Sequence, residues 1–260
     1  MANVDSHPPG SFAWVELAGS NQEQAKQFYA ALFGWSHMDS PMGPGEVYTL
    51  FQIGDGAAAG AFQIKPEEAA IPPHWHLYVG VESADASVAR ARQLGGNIIE
   101  GSFDVSTYGR MAVIGDPTGA VFSVWQPKMH PGIGISGEPG TLCWADLSTS
   151  DPARATEFYS GLFDWKIAPG QNDTSGYLHI QNGSDFIGGI PPAAYRDPNV
   201  PPHWLVYFLV GDVDASAQKA VDNGAHLVTK PSTIENVGRM CIIQDPQGAV
   251  FALFKESAKT

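Results

Sequence analysis

The sequence predicts an α+β protein built as two tandem copies of one small domain, and three observations predict it. The stretch Pro72-Pro73-His74-Trp75-His76 recurs 129 residues later as Pro201-Pro202-His203-Trp204-Leu205. Flanking motifs recur in the same order: Trp14-Val15-Glu16-Leu17 with Trp144-Ala145-Asp146-Leu147, Phe28-Tyr29 with Phe158-Tyr159, Gly109-Arg110-Met111 with Gly238-Arg239-Met240, and Asp116-Pro117-x-Gly119 with Asp245-Pro246-x-Gly248. Each copy also reads as short strands interleaved with two helices. A period this long exceeds a solenoid unit and matches a small domain.

Phe12–Leu17 alternates as a strand, with Trp14 and Glu16 on one face and Ala13, Val15 and Leu17 on the other. Ser20-x-x-Glu23 has the form of a capping box, and Ala25, Phe28 and Leu32 recur at helical spacing until Gly34. Strands are expected at Glu46–Ile53 and Ala57–Ile64 around Gly54-Asp55-Gly56, then at His74–Val81. Asp85 is expected to cap a helix over Ala86–Leu94, followed by strands Asn97–Val105, Arg110–Ile114 and Ala120–Trp125. The order is thus two β-α-β-β-β modules per copy. The second copy repeats it, with Asp151-Pro152 opening its first helix and Asp214–Asn223 forming its second. The expected domains are 10–128 and 141–256, and the Gly- and Pro-rich segment 129–140 is expected to be an exposed linker.

Charged residues make up 16% of the chain and the net charge is −13, which argues against nucleic acid and anionic membrane as partners. No apolar run approaches 18 residues, and Met1–Gly10 has neither the basic start nor the apolar core of a signal peptide. A cytoplasmic protein is expected. The two cysteines, Cys143 and Cys241, lie in apolar strand-like runs and read as buried free thiols rather than a disulfide framework.

The element order, with Asp-Pro-x-Gly before the last strand, resembles the vicinal oxygen chelate superfamily of glyoxalases, extradiol dioxygenases and bleomycin-resistance proteins. The tandem layout with Phe-Tyr-x-x-Leu-Phe-x-Trp and Gly-Arg-Met is similar to two-domain glyoxalase-like proteins of actinobacteria. The resemblance implies paired modules curling into an open, incomplete barrel around a ligand-holding cleft. It also implies metal ligands at three positions, occupied here by Trp14, His76 and Ser123 in the first copy and by Trp144, Leu205 and Ala252 in the second. Indole and methyl groups offer no donor and serine is a poor one, so no cofactor is expected and a divalent metal would find an incomplete ligand set.

Glu16 and His76 are the candidate catalytic residues. Glu16 and its counterpart Asp146 share a face with the first-strand position, where each could act as a general base or pair with Arg110 or Arg239. His74 and His203, at strand starts after Pro-Pro, read as imidazoles bonded to backbone. The candidate ligand-binding residues are Trp14, Trp75, Tyr108, Ser123, Trp125, Trp144, Asp146 and Trp204. The expected function is binding of a small organic molecule without an obligatory metal; the sequence leaves the oligomeric state open, and a monomer with paired domains is compatible with it. The alternatives are a superfamily enzyme (lyase, isomerase or hydroxylase) using acid–base chemistry or an atypical metal site, and a partner-binding scaffold with vestigial clefts.

Overall fold

The computed structural model describes residues 2–68, 70–171 and 173–257. The first half contains β1 (Phe12–Gly19), α1 (Gln22–Phe33), β2 (Ser36–Gly43), β3 (Glu46–Ile53) and β4 (Gly56–Gln63). It continues with β5 (His74–Gly80), α2 (Ala84–Gln93), β6 (Asn97–Val105), β7 (Gly109–Gly115) and β8 (Val121–Pro127). The second half contains β9 (Leu142–Ser148), α3 (Pro152–Phe163), β10 (Lys166–Pro169), β11 (Leu178–Asn182), β12 (Asp185–Ile190) and β13 (His203–Leu209). It ends with α4 (Val213–Asp222), β14 (His226–Leu227), β15 (Ser232–Ile234), β16 (Gly238–Gln244) and β17 (Val250–Glu256).

Each half is one mixed sheet with two helices. The first sheet runs β2-β3-β4-β1-β5-β8-β7-β6, and the second runs β10-β11-β12-β9-β13-β17-β16-β14 with β15 also on β16. Neither sheet closes on itself. Each is two β-α-β-β-β modules joined antiparallel at their first strands, β1 to β5 and β9 to β13. The first and last strands of a module pair in parallel through the intervening helix, as in β1 with β4 and β5 with β8.

The strands β2 and β10 lie outside the segments that the sequence marks as strands. All eight residues of β2 are exposed or half-exposed, and it carries Pro41 and Gly43, so no alternation betrays it. The helix caps also differ from expectation by a residue or two. Asn21, not Ser20, accepts from the Gln24 amide, and Ser83, not Asp85, accepts from the Ala86 amide. Asp85 instead takes both hydrogen bonds of a fork from Arg110.

Alternation along β1, β5 and β8 sorts side chains into two layers. Val15, Leu17, Trp75, Leu77, Phe122 and Val124 enter one large core that also contains Trp165, Trp204, Phe208 and Phe251 of the second half. Trp14, Tyr78 and Trp125 form a separate cluster on the opposite face. The second sheet repeats this division, with Leu205, Tyr207 and Ala252 on its own opposite face. The halves therefore pack through their helix-bearing sides, α1 beside α4 and α2 beside α3, which leaves each sheet a second face, the cleft face that the resemblance implies.

Two buried relays cross between the halves. Trp75 donates to the Tyr29 hydroxyl at 3.0 Å, which donates to Asp245 at 2.9 Å. Trp204 donates to Tyr159 at 3.0 Å, which donates to Asp116 at 3.0 Å. Each aspartate also accepts from the backbone of its own Asp-Pro-x-Gly turn: Gly119 and Ala120 on Asp116, Gly248 and Ala249 on Asp245. One motif thus closes a turn within its half and receives a tyrosine from the other.

The 129–140 segment departs from the exposed linker expected of it. Ile133 and Ile135 are 4% and 1% exposed, because the segment lies along the first half rather than bridging open solvent.

Candidate functional site

The cleft face of the first half is built around Glu16. Its register partner across β1 and β5 is His76, and its partner on β4 is Gly60. The Glu16 carboxyl is buried and accepts from the Tyr78 hydroxyl at 2.6 Å and from Tyr48. Trp14 in turn donates its indole N–H to Tyr48 at 3.0 Å. Burial pushes the Glu16 carboxyl above its ordinary range, and the two phenols pull it partly back. Neither Arg110 nor Arg239 pairs with these carboxylates: Arg110 holds Asp85 and Asp104, and Arg239 holds Asp214.

The second half repeats the constellation. Asp146 accepts from Tyr177 at 2.6 Å, Tyr207 at 2.7 Å and Trp144 at 3.0 Å, and burial again raises its carboxyl. Tyr48, Tyr78 and Gly60 recur as Tyr177, Tyr207 and Gly189 at the repeat spacing of 129, a signal that reading the motifs alone passes over. The glycines have a reason. A Cβ on Gly60 would collide with the Tyr48 hydroxyl, and one on Gly189 with the Tyr177 hydroxyl, so only glycine lets the phenol cross its strand to the carboxyl.

The halves differ at the next position. His76 is half-buried and its Nε2 lies 2.8 Å from the fully buried Ser123 hydroxyl. Burial, aided by the nearby His74, pushes the His76 imidazole down to about 3, so it is neutral at ordinary pH. In the second half, Leu205 and Ala252 fill these places and Asp146 faces an apolar neighbourhood.

Of the remaining predicted site residues, Trp14 and Trp125 lie on the first cleft face and Trp144 on the second. Trp75 and Trp204 do not. Their neighbours are Tyr29, Trp35 and Phe208, and Phe12, Tyr159 and Trp165, respectively, in the core shared by the halves. A residue next to His76 on an extended strand must point away from it. Tyr108 is 52% exposed, on the turn between β6 and β7. His74 and His203 each place Nδ1 2.9 Å from a proline carbonyl, those of Pro72 and Pro201. Burial raises the thiols of Cys143 and Cys241 to about 12 and about 11, which keeps both protonated.

This architecture, two open sheets of paired β-α-β-β-β modules each with a polar group on its cleft face, defines a tandem glyoxalase-like protein. Residues 14–125 match the glyoxalase-like domain, and residues 141–253 match the glyoxalase/bleomycin resistance protein/dioxygenase superfamily. CFP32 of Mycobacterium tuberculosis (strain CDC 1551 / Oshkosh), whose name assigns it provisionally to the glyoxylases, is 38% identical over 98% of both chains. The anthracycline biosynthesis protein DnrV of Streptomyces peucetius is 33% identical over 94% of this chain and 93% of its own. Among solved structures, the Mn(II)-bound glyoxalase from Novosphingobium aromaticivorans superposes with a TM-score of 0.67 at 14% identity, covering 95% of this chain and 82% of that one. The chain belongs to the glyoxalase/bleomycin resistance protein/dioxygenase superfamily.

The three positions where the superfamily resemblance implies metal ligands do not fit a metal here. Trp14 presents an indole N–H that is already donating to Tyr48, and Ser123 presents a hydroxyl engaged with His76. His76 alone is a good donor. Among the described residues no group of three or more His, Cys, Asp or Glu is placed to share an ion.

Proposed function

We propose that the chain binds a small organic molecule on the cleft face of its first half, with Glu16 and His76 as the polar groups and no obligatory metal. Trp14, Ser123 and Trp125 form the wall of that site and Tyr108 stands at its rim. Trp144 and Asp146 form the weaker, more apolar counterpart in the second half. The observation that carries this reading is the His76–Ser123 pair beside the tyrosine-held Glu16, where the second half has Leu205 and Ala252. The names of the relatives, a glyoxylase and an anthracycline biosynthesis protein, also point to small organic molecules.

A second reading is an enzyme of lyase, isomerase or hydroxylase type working by acid–base chemistry. It is favoured by a carboxyl raised by burial in register with a neutral imidazole, the arrangement in which a proton can be held and passed. In either reading the chain works in the cytoplasm as a monomer with paired domains, divided at 10–128 and 141–256, without nucleic acid or membrane. No helix among the described residues is long and apolar enough to cross a membrane.

A melting screen against small carbonyl compounds, phenols and thiol adducts tests the proposal. A ligand at a hundred times its Kd stabilises the folded state by about 2.7 kcal/mol. That shift is expected to vanish in Glu16→Gln and in His76→Leu and to survive in Asp146→Asn. A shift that survives both first-half changes and disappears with Asp146→Asn would place the site in the other half. Turnover of the stabilising compound, lost in Glu16→Gln, selects the enzyme reading.

A further inference from the structure

The segment after β8 does not leave the first half. The Met129, His130 and Ile133 amides donate to Thr107, Tyr108 and Ala13, and the Gly134 amide donates to Ala57 at 2.7 Å. Trp125 donates its indole N–H to the His130 carbonyl at 3.0 Å. The His130 ring stands edge-on to Trp14, with centroids 4.6 Å apart, and Ile133 is buried against Trp14, Tyr78 and Trp125. Gly132, at φ +118°, sits where a side chain would strike the Ala13 carbonyl, so the segment can approach β1 this closely only with glycine there.

The N-terminal stretch holds this segment from outside. Ala2–Asn3 pairs antiparallel with Ile135–Ser136, the Val4 amide donates to Gly134, and His7 Nε2 lies 2.9 Å from the Ile133 carbonyl. A cavity of about 230 Å³ lies beside them at the end of the sheet, lined by His7, Pro9 and Pro131 and by sheet residues that include Ala13, Gly80 and Trp125.

The consequence shows in the comparison of halves. Trp14 is buried where its counterpart Trp144 is half-buried, Trp125 is buried where Phe254 is half-buried, and Ala13 is buried where Cys143 is half-buried. His130 Nε2 is buried under this cover without a hydrogen-bond partner, which favours a state in which the ring meets solvent. The cover lies at the end of the sheet and is held by main-chain bonds and the packing of His130 and Ile133, none of which belongs to the β1–β5 ladder, so it opens as a unit while that ladder stays paired.

We propose that residues 129–136 form a gate over the Trp14–Trp125 end of the first cleft face, latched by residues 2–7, and that a ligand reaches this end only when the gate lifts. The second cleft face has no such cover among the described residues. The inference rests on the reading of the first cleft face as the ligand site, but its test needs no ligand.

Amide hydrogen exchange on the unaltered chain comes first. The amides of Ile133 and Gly134 are expected to exchange at least ~100-fold faster than those of Val15 and Leu77, because a gate opens locally while β1 and β5 stay paired. Equal, slow exchange at all four would overturn the proposal. Acrylamide quenching then shows what the gate covers. In Trp144→Phe six of the seven tryptophans remain, and all six are 6% exposed or less, so little emission should be quenched. Adding His7→Ala and Ile133→Ser should make about two of the six, Trp14 and Trp125, accessible. Unchanged quenching alongside faster Ile133 and Gly134 exchange would mean that a lifted strap uncovers nothing, and the gate would be rejected. A positive result with no ligand found in the melting screen would leave the gate standing and remove the function proposed above.

Discussion

Replacing Asp245 by alanine is expected to lower the stability of the whole chain by roughly 4 kcal/mol, in one transition rather than two. Three backbone amides of its turn, those of Gln247, Gly248 and Ala249, converge on Oδ1, and the Tyr29 hydroxyl of the other half lies on Oδ2. Alanine frees all four donors, and the Tyr29 hydroxyl is left buried with only Trp75, which itself donates to it. For a chain of this size a loss of roughly 4 kcal/mol lowers Tm by roughly 8–16 °C. Tyr29→Phe removes two bonds, the one it donates to Asp245 and the one it accepts from Trp75, but leaves the three turn amides satisfied, so it should cost less than Asp245→Ala, about 2–3 kcal/mol. The same order is expected for Asp116→Ala against Tyr159→Phe, with the Asp116 loss somewhat larger because the Thr118 hydroxyl also donates to Asp116. Calorimetry decides between one cooperative unit and two. Because Phe33, Trp35 and Trp75 pack directly against Phe208, a weakened second half should pull the first down with it. Two separated transitions, with only one moved by Asp245→Ala, would show that the shared core does not couple the halves.

The second large effect lies in acid. His76 titrates at its ordinary value of 6.5 in the unfolded chain and at about 3 when folded. Below 6.5 the unfolded state binds a proton that the folded state refuses, so stability falls as pH drops through this window and is fully present above it. Each unit of displacement is worth about 1.4 kcal/mol, and partial exposure of the ring trims the total to a few kcal/mol. Glu16 works in the opposite sense. Its raised folded value means that stability is present below 4.5 and falls as pH rises above it. The double change His76→Leu with Ser123→Ala copies the second half and leaves Glu16 and Asp146 in place. It should therefore change stability little at pH 7 while flattening the loss between pH 6.5 and 4 by a few kcal/mol. Urea unfolding at pH 7, 5.5 and 4 measures the difference. An identical pH dependence in both proteins would mean that His76 is protonated freely in the folded state and is not the neutral group described here.

Much of this architecture is legible in the repeat. The 129–130 spacing aligns every strand of one sheet with its counterpart, and alternation in Phe12–Leu17 assigns Trp14 and Glu16 to one face, where they are found. Alternation also sends Trp75 away from the face that carries His76, although aromatic character suggests a cleft wall. The bulk of Trp75 and Trp204 is spent on the core between the halves. The spacing cannot say which faces of two identical domains meet, since that depends on surfaces complementary across a pseudo-twofold arrangement. For the same reason the second role of the Asp-Pro-x-Gly aspartates, accepting a tyrosine from the other half, is invisible in either copy alone. Tyr48, Tyr78 and Gly60 could have been found by asking which polar residues and glycines persist in both copies. The 129–140 segment misleads because Gly and Pro usually mark exposed linkers, while here Gly132 and Gly134 permit close approach to β1 and β4.

In the function proposed above, the site works with hydrogen-bonding groups where the glyoxalase from Novosphingobium aromaticivorans is Mn(II)-bound. Metal analysis with native mass spectrometry, on protein purified without chelator, tests it most directly. Melting curves with micromolar zinc, nickel, manganese or iron complete the measurement, since a metal bound to the folded state raises Tm as the logarithm of its free concentration over Kd. Wild-type protein is expected to carry far less than one metal per chain and to melt unchanged. Trp14→His with Ser123→Glu, which supplies two donors beside His76, should gain a metal-dependent rise, and the equivalent changes at Trp144 and Ala252 should not, because Leu205 adds no third donor. About one tightly held metal per wild-type chain after dialysis would contradict the account.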